Sequence, residues 1–258
     1  MFNFVLILLV GSFAGVMTGL MGASGVMAVV PGMILLGYTA HQAVGTSLAV
    51  DMTASLVVAW TYYNHGRVDL RQGIWIAVTA MLGAQVGSHL SVFVPEVSIS
   101  GGFGVFLLVS AVLFWRNGTG GDLERIQGSS IAKRVKQHPM LVSIAVGLWA
   151  GIYCGLFGAG GGLLFLFALL LLGYSLHQAV GTSTLIMALT TASGALGHAL
   201  IGNLPYMAFG GIATGTVLGS FASARFANQL NERFLGKAIA VVFGFLGIAV
   251  FLAPFFSR

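Results

Sequence analysis

Charged residues are scarce in this chain. Of its 258 residues, 7% are Asp, Glu, Lys or Arg and 57% are hydrophobic, whereas an ordinary soluble domain carries about 25% charged residues. Apolar runs near or above the roughly 18 residues that span a bilayer recur from one end to the other. These features exclude a soluble domain and predict an all-α integral membrane protein whose main partner is the lipid bilayer.

Cysteine is scarcer still, because Cys154 is the only one and an intrachain disulfide is therefore excluded. The apolar spans also lack groups of residues with metal-ligand spacing, so we expect neither a metal nor another cofactor. The first apolar stretch, Phe2 to Met21, has no Lys or Arg ahead of it and no obvious cleavage site after it. We interpret it as a retained membrane helix rather than a signal peptide.

The strongest internal signal is a repeat. Residues 15–47 match residues 151–183 without gaps, at an offset of 136 positions, and about half of the aligned residues are identical. Within it, Leu-Leu-Gly-Tyr, two further residues and His-Gln-Ala-Val-Gly-Thr-Ser occur at 35–47 and again at 171–183. The chain is therefore built from two homologous halves.

Apolar runs and breakers predict five segments in each half. They span residues 3–21, 26–38, 42–63, 73–94, 98–115, 139–157, 162–174, 178–200, 204–224 and 236–256. Because each half has an odd number of segments, the second half should be inverted in the membrane. The fold class is therefore a polytopic helix bundle of two inverted-topology repeats, residues 1–115 and 139–258, joined by a linker at 116–138 that is expected to have little structure.

The basic residues test this topology. Alternating the loops between two sides places all of them except Arg258 on one side: Arg67, Arg71, Arg116, Arg125, Lys133, Arg134, Lys136, Arg225, Arg233 and Lys237. That side should be the cytoplasm, with the 116–138 linker on it and both termini outside. The net charge of +5 thus records topology, and no nucleic acid partner is expected.

The second segment of each half has only about 12 residues, or about 18 Å as a helix, too short for a bilayer of about 30 Å. A glycine-rich break precedes each of these segments. The breaks are Gly22, Ala23, Ser24 and Gly25 in the first half and Gly158, Ala159, Gly160, Gly161 and Gly162 in the second. Short, interrupted segments at matching places in inverted halves predict a substrate site near the bilayer midplane, and free N–H groups at a half-helix start favour an anion.

Hydroxyl residues follow each short segment and extend this candidate site. They are Thr46 and Ser47 in the first half and Thr182, Ser183 and Thr184 in the second. Such hydroxyls often bond their own helix backbone instead, so a structural role stays open for each. Their recurrence beside the breaks favours contact with substrate.

Titratable residues supply candidates for coupling or gating. His41 with Gln42, and His177 with Gln178, lie where a short segment turns into a long helix, so we expect helix capping somewhat more than ligand binding or proton chemistry. Asp51 lies in a long apolar run and has no acidic counterpart, because Met187 occupies the matching position. A membrane-buried acid suggests proton coupling or gating, with a hydrogen-bonded structural role as the alternative.

These motifs resemble the TauE/SafE family of sulfite and organosulfur anion transporters. The resemblance rests on the glycine-rich break, the repeated Leu-Gly-Tyr-x-x-His-Gln-Ala-Val-Gly-Thr-Ser and the Gly66-Arg67-Val68-Asp69 stretch, and it covers nearly the whole chain. It implies a transporter of sulfite, sulfoacetate or related sulfonates in the bacterial inner membrane, and it leaves the direction open. Two inverted halves around a midplane site predict that transport works by alternating access. Ser24 in place of a glycine and the unpaired Asp51 depart from a symmetric pattern.

Two other classes of function fit the sequence less well. An anion channel would need a continuous wet path, and the chain has no obvious rings of polar residues. An intramembrane enzyme would need converging titratable or metal-binding groups, which the apolar spans do not supply. We therefore predict a transporter rather than an enzyme, with monomer and homodimer both open.

Overall fold

The computed structural model describes residues 2–21, 25–117, 130–158, 161–227 and 232–256. Every regular element in these ranges is helical, as the composition predicts. A 3-10 turn at Gly25–Ala28 accompanies the α-helices, which are α1 (Phe2–Met21), α2 (Val29–Leu35), α3 (Ala40–Asn64), α4 (Leu70–Ser91), α5 (Glu96–Asn117), α6 (Ser130–Gln137), α7 (Pro139–Phe157), α8 (Gly161–Leu172), α9 (Leu176–Leu200), α10 (Tyr206–Ala227) and α11 (Glu232–Phe256).

The outer surface of the bundle is apolar. Four helices are long and apolar enough to cross a membrane within the described ranges, at Ala40–Asn64, Gly73–Ser91, Pro139–Phe157 and His177–Leu200. Large hydrophobic side chains such as Trp60, Phe93 and Phe245 point outward. A surface of this kind is stable against lipid and not against water, so the chain is a membrane protein.

The helices pack according to the repeat. Helix α1 packs on α10, and α4 packs on α7, while α3 packs on α9 and α5 on α11. The sequence repeat makes α1 equivalent to α7, α3 to α9, α4 to α10 and α5 to α11. Replacing each helix by its equivalent therefore turns the α1–α10 pair into the α7–α4 pair. The α3–α9 and α5–α11 pairs each join two equivalent helices, so they stay the same.

Small residues bring these helices together, as the Gly-x-x-x-Gly patterns predict. A Cβ added at Gly151 or Gly155 of α7 would collide with the carbonyl oxygens of Ala80 and Ala84 on α4. Gly215 and Gly219 of α10 meet the backbone of α1 in the same way. These contacts are backbone against backbone, as glycines four residues apart on a membrane helix allow.

The repeated Leu-Gly-Tyr sequence ends the two short helices. Gly37 and Gly173 adopt left-handed backbone conformations, with φ of 87° and 100°. The Tyr38 N–H donates to the Met33 carbonyl and the Tyr174 N–H to the Leu169 carbonyl, each over 3.1 Å. This is the Schellman arrangement, in which glycine satisfies the last free carbonyls of a helix.

Each short helix lies in the centre of an apolar cluster. Val29, Val30 and Met33 of α2 pack in one cluster, and Phe165 and Leu169 of α8 pack in the other. The segment predicted at 26–38 is shorter as an α-helix than expected, because its start is wound as the tighter 3-10 turn. Such turns are frequent at helix ends.

Two expectations from the sequence are wrong. The residue that caps α3 is Thr39, whose hydroxyl accepts from the Gln42 N–H in a capping box, and Ser175 caps α9. The histidines at 41 and 177 are therefore not the N-caps of α3 and α9, because a short hydroxyl fits that position better than an imidazole. Gln42 completes the box by accepting from the Thr39 N–H.

The linker at 116–138 also carries more structure than expected. Helix α5 continues to Asn117, and residues 130–137 form α6. Ala132 is fully buried, and α6 packs on α7 and α8. Apolar Ile131, Ala132 and Val135 recur at helical spacing among basic residues, so a short amphipathic helix can form once it has a surface to pack on.

The glycine contacts predict a stability difference. Replacing Gly151 with Ala should lower the apparent Tm of the purified protein by several degrees, because overpacking a close contact costs about 1–3 kcal/mol. Thermal unfolding in detergent measures this. Gly210→Ala is the matched control, since nothing lies within 4 Å of a Cβ at Gly210. Equal Tm values for the two variants would contradict the close contact.

Candidate functional site

Part of the predicted site falls outside the described residues. Gly22, Ala23, Ser24, Ala159 and Gly160 are in that group. The edges of both breaks are described, with Gly25 starting the 3-10 turn and with Gly158, Gly161 and Gly162 at the ends of α7 and α8.

The break in the second half lies against the start of α3 from the first half. Gly158 ends α7 in a left-handed conformation, and a Cβ there would lie 2.9 Å from the Val44 Cα. The Ser47 hydroxyl donates to the Gly158 carbonyl over 3.1 Å. The structure thus brings two predicted site residues together although they are 111 positions apart in the chain.

Beneath this break, the start of α8 opens onto buried side chains of three other helices. The Cys154 thiol lies beside the Gly161 backbone, and Asp51 is close enough to interact electrostatically with that thiol. A Cβ at Gly161 would lie 3.5 Å from the Met187 sulfur and 3.6 Å from the Cys154 sulfur. The start of α8 therefore lies in the interior of the protein.

Asp51 is a buried acid with one described partner. Its side chain accepts a hydrogen bond from the Ser55 hydroxyl over 3.2 Å, and the residue is 5% exposed. Among the described residues no Lys or Arg forms an ion pair with it. A carboxyl group in this position can hold or release a proton beside the half-helix start.

The repeated hydroxyls have different partners in the two halves. Ser183 and Thr184 donate to their own helix backbone, at Val180 and Gly181. The Thr182 hydroxyl accepts from the Asp69 N–H over 3.0 Å. The Thr46 hydroxyl is fully buried and has no hydrogen-bond partner.

A single residue explains the difference between Thr46 and Thr182. At an offset of 136, the position that matches Asp69 is Pro205, which has no N–H to donate. The surroundings otherwise correspond, because Gly181 packs on the Arg67 carbonyl and Gly45 on that of the matching residue, Asn203. Thr46 therefore keeps a free hydroxyl where its counterpart is engaged.

The predicted coupling pairs contact helix ends rather than the break. One nitrogen of His41 bonds the Ser91 carbonyl over 2.8 Å, and the other lies 3.6 Å from Glu96. Gln42 and Gln178 bond the caps of α3 and α9. His177 is exposed.

Sequence reasoning missed the role of three residues. The Tyr174 hydroxyl donates to the Asp69 carboxylate over 2.8 Å, and burial and this bond both raise the pKa of Tyr174 above its ordinary value. His198 bonds the Gly155 carbonyl through one nitrogen and leaves the other without a partner. The Gly-Arg-Val-Asp stretch marked Asp69, but nothing in the sequence indicated its partner.

Comparison with known proteins gives a consistent family. The family described as "Sulfite exporter TauE/SafE" matches residues 7–250. The chain is 28% identical to the probable membrane transporter protein YdhB of Bacillus subtilis, over 91% of this chain and 95% of that protein. It is 30% identical to a probable membrane transporter protein of Xylella fastidiosa, over 93% of this chain and 90% of that protein. No solved structure matches.

Because Ser47 forms a hydrogen bond across the break, replacing Ser47 should lower the stability of the protein more than replacing Ser183. Replacing Ser47 with Ala should lower the free energy of unfolding by about 1 kcal/mol, because the Gly158 carbonyl loses its donor. Ser183→Ala should change it little, since that hydroxyl bonds its own helix. Thermal unfolding of both variants checks this, and a larger loss for Ser183→Ala would contradict it.

Proposed function

The chain belongs to the TauE/SafE family of membrane transporters, and from that premise we propose that it carries a small sulfur-containing anion across the bacterial inner membrane. Sulfite, sulfoacetate and related organosulfonates are the proposed substrates. The transport mechanism we propose is alternating access around a site at the interface of the two halves.

One observation carries the proposal: the glycine break of the second half lies against α3 of the first half, and α8 begins inside the bundle. Irregular backbone is tolerated at membrane depth only where protein or a wet cavity covers it. The free N–H groups and positive dipole end of α8 favour a negative ligand there. An anion could thus be bound without a buried Lys or Arg.

Contacts between equivalent helices support the proposed inversion of the halves. The start of α3 lies against the end of α9, where a Cβ at Gly45 would be 3.0 Å from the His198 Cβ. The start of α9 lies against the end of α3, with Gly181 at the same distance from the Tyr62 Cβ. Equivalent helices that run in opposite directions are expected at the axis of an inverted repeat.

The charges support an orientation. Arg67 and Arg71 flank the α3–α4 loop, and Lys136 lies on α6 beside the α8–α9 turn. Basic loops are retained on the cytoplasmic side. We therefore place this end of the bundle in the cytoplasm and both termini in the periplasm.

A ligand panel tests the proposed site. Sulfite or sulfoacetate at saturating concentration should raise the Tm of the purified protein by about 5 °C or more, and uncharged dimethyl sulfone should not. Thr46→Val should abolish the shift while leaving the unliganded Tm unchanged, because this hydroxyl has no bond to lose in the structure. A full shift in Thr46→Val removes this residue from the site, and no shift with any anion overturns the proposal.

Proton coupling through Asp51 is a separate prediction. If Asp51 takes up a proton with each anion, Asp51→Asn should abolish the pH dependence of uptake or efflux by proteoliposomes. Ser55→Ala is the control, because it removes the hydrogen bond but keeps the carboxyl group, so transport should still depend on pH. An unaltered pH profile in Asp51→Asn would rule out this role.

A further inference from the structure

The two ends of the α3–α9 pair differ in the hydrogen bonds that join the halves. At the end that carries the basic loops, Asp69 links the halves through two hydrogen bonds: its N–H donates to Thr182 over 3.0 Å, and its carboxylate accepts from Tyr174 over 2.8 Å. The other carboxylate oxygen accepts from the Arg71 N–H over 2.9 Å. The loop after α3 is thereby held against the start of α9.

The matching residues at the opposite end make no such link. They are Pro205, Tyr38 and Thr46. Pro205 has neither an N–H nor a carboxylate, and the Thr46 hydroxyl is unpartnered. No hydrogen bond joins Tyr38 to the Pro205 segment within the described residues.

The surroundings of the two Leu-Gly-Tyr turns also differ between the ends. A Cβ at Gly173 would lie 3.0 Å from the Lys136 side chain of α6, whereas nothing lies within 4 Å of a Cβ at Gly37. A pocket lined by Ile7, Leu36, Gly37 and Tyr38 opens at the second place. The turn at Gly173 thus has the Lys136 side chain beside it, whereas the turn at Gly37 borders a pocket.

We propose that Asp69, Tyr174 and Thr182 form a gate, closed in this structure, at the end of the bundle that carries the basic loops. The inference rests on the alternating access proposed above. In such a cycle the closed end must open, and the hydrogen bonds across the halves must break when it does. Among the described residues, those that match these three at the opposite end form no equivalent bonds.

The bond between Tyr174 and Asp69 is the strongest part of this gate. Hydrogen bonds to a charged acceptor are stronger than those between neutral groups. Removing one should increase the population of the open gate on the order of tenfold. The effect should be confined to one side of the membrane.

Accessibility of a cysteine beneath the gate tests the proposal. Ser183→Cys is the reporter, since Ser183 is the residue after Thr182 and is 4% exposed. Its labelling by a membrane-impermeant maleimide is measured in inside-out and right-side-out vesicles. The same chain without the Ser183→Cys change measures the background labelling of the native Cys154. Adding Tyr174→Phe should increase the labelling rate from the cytoplasmic face on the order of tenfold. Asp69→Asn should do the same and serves as the second variant if Tyr174→Phe fails to insert.

Tyr38→Phe is the matched control and should leave labelling from both faces unchanged. Unchanged rates in Tyr174→Phe and Asp69→Asn, or an equal increase in Tyr38→Phe, would overturn the gate. The measurement needs no substrate, so it is independent of the ligand panel. Failure of every anion to stabilise the protein would remove the proposed function without altering the labelling result.

Discussion

The bilayer offers no hydrogen-bonding solvent, and the architecture depends on that constraint. A helix satisfies its own backbone, so an interruption is tolerable only where other parts of the protein cover it. The break at Gly158 meets this requirement through the Cys154 carbonyl, the Ser47 hydroxyl and the packed surface of Val44. Ser47 and Val44 lie on α3, which packs on α9, and Cys154 lies on α7, which packs on α4.

Much of the fold could be predicted because it depends on local chemistry. The repeat, the helical segments and the glycine contact faces follow from residue spacing, and the chain confirms them at Gly151 and Gly215. The turn at Leu-Gly-Tyr follows from the freedom of glycine to adopt positive φ. The cap of α3 was assigned to His41 although Thr39, two residues earlier, is the better acceptor, and α6 was missed because its helix depends on packing against α7 and α8.

The candidate site was less predictable because its bonds are tertiary. Thr46 and Thr182 lie in identical seven-residue sequences, so no local pattern separates them. They differ because Asp69 lies opposite Thr182, whereas the position that matches Asp69 in the second half is Pro205. Both of these residues belong to other segments of the chain. Likewise, the sequence grouped Ser47 with its own half, whereas its hydroxyl bonds the break of the other half. A duplicated motif can therefore be kept in both halves while its two copies make different contacts.

The interlocked packing also has a consequence for biosynthesis. The N-terminal helix α1 finds its main neighbour in α10, which begins about 200 positions later in the chain. At a translation rate of about 5–20 residues per second, α1 waits roughly ten seconds or longer in the membrane before that neighbour exists. During that interval its glycine face is open to lipid or to other proteins. Neither half is thus an independent folding unit, and assembly of the bundle follows insertion of its last helices.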